Sequence, residues 1–142
     1  MARGVAYEPA PDIQQRMVAM VEALGMAHVD PSRVVCVRSW GSQGRFLARI
    51  WPLERVWQLA LGVPAHYVIE VKGEAFAPMS QRGRDETLLH ELLHIPRTFS
   101  GSLRMHRHPG GRIDARAVRK LYERWESWTA EDAVMPAELR PV

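Results

Sequence analysis

Two histidines four positions apart, with a glutamate directly after the first, are the residues of this chain best suited to chemistry. They are His90, Glu91 and His94, in the run HELLHIP over residues 90–96. On a helix, residues with this spacing project from one face, one turn apart. Neutral imidazoles placed in this way can occupy two corners of a tetrahedral zinc site. The adjacent glutamate can then accept a proton from a zinc-activated water, which is the chemistry of the H-E-x-x-H motif.

The alternative is a helix that carries two surface histidines, since a chain with six histidines can contain this spacing by chance. The surroundings of the motif argue against that alternative, because they are apolar and predict a largely buried helix: Leu88, Leu89, Leu92, Leu93 and Ile95. Buried polar groups need partners, and one metal ion would satisfy both imidazoles. We therefore expect a zinc site.

Pro96 ends the predicted helix about one residue after the second histidine. Proline cannot continue a helix, and it disfavours helical backbone at the residue before it. The chain can then turn back beneath the metal, so a third ligand is expected from residues 98–111. Two candidates lie in this segment, His106 and His108.

His106 is the preferred third ligand. It follows a bend at residues 98–101, and Phe99 and Leu103 are available to hold the intervening loop to the core. His108 instead precedes Pro109-Gly110-Gly111, which is typical of an exposed turn. The two histidines are close enough in sequence for either to reach the metal, so both stay candidates.

The segment from His90 to His106, HELLHIPRTFSGSLRMH, resembles the small zinc metallopeptidases found in phages, prophages and archaea. The resemblance extends upstream through the strand-like residues 67–71 and the Arg-Ser-Trp-Gly-Ser turn, and downstream to Tyr122. It implies a minimal zincin fold, one zinc ion and a peptidase activity. It also implies, by position, that His90, His94 and His106 bind the zinc and that Glu91 is the general base. A more distant likeness is to SprT-type proteases.

Several other polar residues could support such a site. Glu70 or Glu74 could orient a ligating histidine, and Tyr122 could reach the oxyanion of the reaction. Glu123 or Glu126 could supply a third ligand from a later helix. For each of these residues we favour the ordinary interpretation, which is a surface carboxylate or, for the tyrosine, a core side chain.

The basic side chains give the chain a net charge of +3, and they concentrate after the motif. Six arginines stand between residues 97 and 119: Arg97, Arg104, Arg107, Arg112, Arg116 and Arg119. Such a stretch could attract nucleic acid or an acidic peptide. No aromatic residues interleave with the arginines as stacking platforms would, so a solvated face is the favoured interpretation.

The compartment is predicted from what the chain lacks. Residues 1–142 contain no apolar run of signal-peptide or membrane-spanning length, which predicts a cytoplasmic protein with no membrane partner. The single cysteine, Cys36, cannot form an internal disulfide, and its apolar neighbours predict a core residue rather than a reactive thiol.

The elements that must position the motif predict an α+β fold, in which a small three-stranded sheet packs against helices that include the H-E-x-x-H helix. Strands are expected at residues 34–37, 45–51 and 65–71, and the turn at residues 39–44 predicts that the first two form a hairpin. Helices are expected at residues 13–24 and 53–61, in the motif with Ser80 or Asp85 as its cap, and after Asp114. The chain is expected to be one domain over residues 1–142, with a loose arm at 1–11 and a loose tail at 130–142.

The leading functional hypothesis is a zinc metalloendopeptidase of the H-E-x-x-H type, acting on a protein or peptide substrate. The first alternative is a zinc-binding interaction module in which Glu91 has no catalytic role. The second is a nucleic-acid-associated protease similar to the SprT type, tethered through the arginine stretch.

Overall fold

A mixed four-stranded sheet and five helices form the fold in the computed structural model, which describes residues 4–134. The α+β class and the packing of a small sheet against the motif helix are confirmed. The strands of the sheet are β1 (Ala6–Pro9), β2 (Val34–Trp40), β3 (Ala48–Pro52) and β4 (Tyr67–Lys72), and a separate pair is β5 (Arg107–His108) and β6 (Gly111–Arg112). The helices are α1 (Pro11–Ala23), α2 (Arg55–Leu61), α3 (Gly73–Phe76), α4 (Gln81–Leu93) and α5 (Ala115–Val134).

The strand order is β1-β2-β4-β3, so the predicted hairpin between the second and third strands is wrong. β4 lies between them, parallel to β2 and antiparallel to β3. The connection at residues 41–47 crosses the end of β4, where the Lys72 backbone N–H donates to the Leu47 carbonyl at 2.9 Å. The Lys72 ammonium also donates to the Gly44 carbonyl at 2.6 Å. This topology leaves β3 at one edge of the sheet.

Residues 6–9 form the opposite edge strand, β1, rather than part of the predicted loose arm. β1 pairs antiparallel with β2, and Ala6 lies opposite Trp40. The Trp40 indole N–H also donates to the Glu8 carboxylate at 3.0 Å. The sheet therefore has four strands instead of the predicted three. At the other end, α5 continues to Val134, and the rest of the predicted tail, residues 135–142, lies outside the described residues.

The core lies between one face of this sheet and the helices. β4 contributes Tyr67, Ile69 and Val71, and α1 contributes Met17 and Met20. The motif helix α4 adds the buried residues Leu88, Leu89 and Leu92. The predicted burial of this helix is confirmed. The burial fixes α4 against the sheet, and His90 and Glu91 of α4 line cavities together with Ala48 of the edge strand β3.

Cys36 is a core residue, as predicted. It lies in β2 and is 2% exposed. Burial raises the pKa of its thiol to about 12, so the nucleophilic thiolate is scarce at neutral pH.

Asp85 joins three helices instead of capping α4. Its carboxylate accepts two hydrogen bonds from the Arg16 guanidinium of α1, at 2.6 and 2.8 Å, and one from the Trp125 indole of α5 at 3.2 Å. The cap is Ser80, whose hydroxyl accepts from the Gly83 N–H at 3.1 Å. Of the two predicted caps, Ser80 is thus correct. The Asp85 contacts set the position of α4 relative to its neighbours.

Across residues 4–134, no helix combines the length and the apolar character that crossing a membrane requires.

Candidate metal centre

The last turn of α4 presents His90 and Glu91, and the helix ends at Leu93. His94 follows as the C-cap residue with helical backbone angles, so the helix ends slightly earlier than predicted. The Ile95 N–H donates to the Leu92 carbonyl at 3.1 Å, which tightens this last turn. The imidazole rings of His90 and His94 still lie next to each other in an edge-to-face arrangement, with centroids 5.2 Å apart.

His94 is held by a two-way link to Arg104 in the loop that follows. The Arg104 N–H donates to the His94 carbonyl at 2.7 Å, and His94 Nδ1 lies 2.6 Å from the Arg104 carbonyl oxygen. A carbonyl can only accept, so Nδ1 must carry the proton in this hydrogen bond. The lone pair of the neutral imidazole is then on Nε2, which is free to bind a metal.

Tyr67 of β4 holds the same loop to the sheet. Its hydroxyl donates to the Ser102 carbonyl at 2.8 Å and accepts from the Gly101 N–H at 2.9 Å. Its ring packs edge-on against Phe99, with centroids 5.0 Å apart. The sequence analysis expected a strand at residues 65–71 and assigned Tyr67 no role in the site. Its phenolic hydroxyl was the available signal, because a buried tyrosine usually finds a hydrogen-bond partner.

Close packing around Gly101 fixes the bend of the loop. Its φ is +95°, a conformation that favours glycine, and an added Cβ would collide with the Leu53 carbonyl and the Gln58 amide. Gln58 of α2 also donates to the Ser100 carbonyl at 3.0 Å. Phe99 is buried in the core, and the expectation that this residue holds the loop is confirmed.

The loop brings a third imidazole, His106, to the pair on α4. Its Nε2 lies 3.2 Å from Nε2 of His90, and its ring centroid lies 4.7 Å from that of His94. One nitrogen from each of the three histidines lies within 4.8 Å of the others. The backbone of His106 is fixed by its carbonyl, which accepts from the Ile113 N–H at 2.7 Å.

His108 is outside this group. It belongs to β5, and its Nδ1 accepts a hydrogen bond from the Gly110 N–H at 3.1 Å. One of its two ring nitrogens is therefore occupied within the turn that joins β5 to β6.

The three histidines fit a divalent metal ion in both charge and spacing. Burial, together with the charges of the neighbouring histidines, lowers the pKa of His90, so this residue is neutral at pH 7. Burial likewise lowers the pKa of His94. Neutral imidazole is the form that binds metals. Two nitrogen ligands of a tetrahedral zinc ion, each at ~2.0–2.1 Å, lie roughly 3.3–3.4 Å apart, which is close to the observed 3.2 Å between His90 and His106.

Glu91 lies beside these histidines and is 6% exposed. Burial raises the pKa of its carboxyl to about 7. A carboxyl group with this pKa can both take up and release a proton near neutral pH. It is therefore suited to acid–base chemistry at this site.

Two cavities meet at Ala48, His90 and Glu91. One, of about 340 Å³, extends along β3 toward Leu103 and His106. The other, of about 380 Å³, extends toward the first turn of α5. The histidines therefore lie in a cleft between two walls, the edge strand β3 on one side and α4 on the other.

Glu70 is 0% exposed, so the surface carboxylate favoured for it is wrong, and it does not orient a ligating histidine either. Its neighbours in β4, Ile69 and Val71, face the core, and Glu70 therefore points to the opposite face of the sheet. There its carboxylate accepts from Arg49 at 2.9 Å, from the Trp51 indole at 2.8 Å and from the Ser42 hydroxyl at 3.1 Å.

The remaining candidates also bond elsewhere. Glu74 accepts from the Gly41 N–H. Tyr122 donates to Glu126 at 3.2 Å, and the Arg82 guanidinium covers its ring at 4.6 Å. The ordinary interpretation favoured for these residues agrees with these contacts, and Glu123 is exposed on α5.

The arginine stretch is mostly exposed, as a solvated face requires. Arg104 alone among its six members is partly buried. Binding of nucleic acid to this stretch stays a prediction.

A family model described as "Putative phage metallopeptidase" matches residues 5–124 of the chain. No curated protein and no solved structure matches it significantly. The matched span begins just before β1 and ends within α5. It therefore includes α4, the loop that carries His106, and the strands that hold both.

Proposed function

The chain belongs to the family described as "Putative phage metallopeptidase", and on this premise we propose that it is a zinc-dependent endopeptidase. Membership of a metallopeptidase family implies a metal ion and a protein or peptide substrate. In our proposal His90, His94 and His106 bind the zinc, and Glu91 is the general base. The supporting observation is the convergence of three imidazoles beside a carboxyl group that is buried.

Zinc is the proposed metal because all three available ligands are imidazole nitrogens. A set of three protein ligands is typical of catalytic rather than structural zinc, and His90, His94 and His106 would supply that set. Bound in this way, zinc supplies Lewis-acid polarisation of a peptide carbonyl and lowers the pKa of water to about 7.

Glu91 moves the proton in this scheme. Its carboxylate accepts a proton from the attacking water, holds it on a carboxyl oxygen, and returns it to the amide nitrogen of the leaving group. In the chain without metal, burial raises the pKa of Glu91 to about 7, so its carboxylate takes up a proton readily. The buried position of Glu91 limits competing exchange with bulk solvent.

Two contacts position the ligands without touching the substrate. The hydrogen bond from His94 Nδ1 to the Arg104 carbonyl fixes the ring and directs Nε2 into the cleft. The Tyr67 hydroxyl holds the loop that carries His106. We expect both contacts to act through metal binding rather than through the reaction itself.

The edge strand β3 is the proposed guide for the substrate. β4 pairs with one edge of β3, and among the described strands none pairs with the other edge. Free backbone N–H and C=O groups at such an edge can bind an extended peptide as an additional strand. Because Ala48 of β3 lines both cavities with Glu91, a peptide bound there passes directly over the site.

Digestion of a diverse peptide library by the zinc-loaded chain tests this function. Glu91→Gln is expected to keep the fold and the zinc but to lower kcat/KM by roughly 10³-fold or more, since only proton transfer is removed. Glu123→Gln, which removes an exposed carboxyl of α5, is the matched control and should leave turnover unchanged.

Elemental analysis of both variants verifies that the metal is retained. Turnover that survives Glu91→Gln would show that Glu91 is not the base. A parent protein that binds zinc but cleaves no peptide of the library would favour the interaction module instead.

A further inference from the structure

The cavity between α4 and α5 is a feature that the metal centre alone does not explain. It has a volume of about 380 Å³ and opens beside His90 and Glu91. Its remaining walls come from β3 or the residue before it, from α4 and from α5: Leu47, Ala48, Glu86, Thr87, Ala115 and Val118. The cavity lies on the side of Glu91 away from His106, which lines the other cavity.

Apart from His90 and Glu91, the walls of this cavity present mainly methyl groups, and their polar atoms already have partners. The Glu86 carboxylate accepts from the Arg82 guanidinium at 2.8 Å. The Thr87 hydroxyl donates to the Gly83 carbonyl at 2.8 Å. Away from His90 and Glu91, a charged guest would therefore find no free counter-charge along these walls and would lose its hydration. An apolar guest loses no hydrogen bond on entering.

The size of the cavity admits a large side chain. Its volume falls within the range of roughly 300–1,000 Å³ found for small-molecule pockets. Leu47 is exposed at the mouth, and Val118 is buried at the base. The cavity is thus open to the cleft at one end and closed by the core at the other.

We propose that this cavity receives an apolar side chain of the substrate, of leucine or phenylalanine size, from a residue next to the cleaved bond. The inference rests on the proposed function, because the cavity shares Glu91 with the catalytic site. A peptide that extends along β3 and passes over Ala48 can place one side chain in this cavity while its backbone lies over Glu91. The cavity then sets a preference of the enzyme for apolar residues at that position.

Two substitutions, one that fills the cavity and one that enlarges it, test this preference for apolar side chains. Positional scanning of the peptide library identifies the position at which leucine is preferred, and kcat/KM is then compared for leucine, phenylalanine and alanine there. Ala115→Trp fills the cavity from the exposed first turn of α5. It should lower the ratio of kcat/KM for the leucine substrate to kcat/KM for the alanine substrate on the order of tenfold. Val118→Ala enlarges the cavity and should raise the phenylalanine-to-leucine ratio severalfold.

Ala60→Trp is the matched control, because it makes the same change at an exposed position of α2 that does not line the cavity. It should leave both ratios of kcat/KM unchanged. Ratios that stay the same in Ala115→Trp and Val118→Ala, while the parent chain cleaves peptides, would overturn the inference and leave the proposed function standing.

A binding measurement separates the inference from hydrolysis. In the full chain, methyl NMR signals of Ala48, Thr87, Ala115 and Val118 should shift on titration with N-acetyl-leucinamide and much less with N-acetyl-glycinamide. The shifts of Ala48, Thr87 and Val118 should disappear in Ala115→Trp, and all four should persist in Ala60→Trp. Equal effects of the two amides would overturn the inference. Selective binding without any peptide hydrolysis would support the cavity assignment and count against the proposed function.

Discussion

The hydroxyl of Tyr67 donates to the carbonyl of Ser102 at 2.8 Å, which joins the central strand of the sheet to the loop that carries His106. The same oxygen accepts from the Gly101 N–H at 2.9 Å. A single side chain therefore satisfies two backbone groups of a loop that has little regular structure. The position of the third histidine thus depends on a residue that is distant from it in sequence.

Tyr67→Phe should weaken metal binding by roughly 10-fold, at the lower end of the effects seen for residues that support metal ligands. It leaves the Ser102 carbonyl and the Gly101 N–H without their partner, which should also cost about 1–3 kcal/mol of unfolding free energy. Competition with a chromophoric chelator measures the first effect, and urea unfolding of the metal-free protein measures the second.

Tyr7→Phe is the control for this substitution, because Tyr7 is exposed in β1. It should change neither quantity. Parent-like metal affinity in Tyr67→Phe would mean that the loop holds His106 without help from the sheet.

Alanine substitutions distinguish His106 from His108 as the third ligand. His106→Ala should weaken zinc binding by at least about 100-fold, since it removes one of the three proposed ligands. His108→Ala should leave the affinity within about twofold, because its Nδ1 is engaged with the Gly110 N–H. Zinc titration of each purified variant measures both. Loss of zinc from His108→Ala alone would show that the loop uses the other histidine.

Glu70 should make the stability of the protein depend on pH in the acidic range. Burial of its carboxyl would raise the pKa, but the hydrogen bonds from Arg49, Trp51 and Ser42 outweigh burial and hold the pKa below its ordinary value of 4.5. The folded state therefore binds this proton less readily than the unfolded state does. The resulting stabilisation is complete above pH 4.5 and is lost as pH falls from 4.5 through the lower folded-state pKa.

Comparison with Glu70→Gln isolates this contribution from other carboxyl groups. The difference in unfolding free energy between parent and variant, measured in urea from pH 7 to pH 3, should be largest above pH 4.5 and shrink below it. Glu54→Gln, at the exposed N-cap of α2 where no side-chain capping bond forms, should show no such trend. A parent–Glu70→Gln difference that stays constant with pH would show that the carboxylate charge does not stabilise the fold.

The parts of the site that the sequence predicted are those that depend on neighbouring residues. The spacing of His90 and His94 and the stop at Pro96 are properties of one helix and its end. The apolar residues around them correctly predicted the burial of α4. Alternation along residues 65–71 places Glu70 on the face opposite Ile69, but the sequence analysis did not use this against a role for Glu70 near the histidines.

The pairing of the strands was not available from local patterns. The turn at residues 39–44 has the composition of a hairpin, but the chain uses it to cross the end of β4. Short apolar strands can pair in several orders with similar local energies, and the choice is made by long-range contacts. Here β3 supplies Arg49 and Trp51 to the buried Glu70, a set of contacts that requires β3 and β4 to be neighbours.

The sequence by itself therefore determined a helix with two histidines and a glutamate, its burial, and a loop able to return with a third histidine. Only the tertiary structure decided that His106 lies against His90, that Tyr67 holds the loop, and that β3 forms the free edge of the cleft. The physical reason is the range of the interactions. Helix spacing and proline stops act over a few residues, whereas the loop and the edge strand are placed by hydrogen bonds between residues that are far apart in the chain.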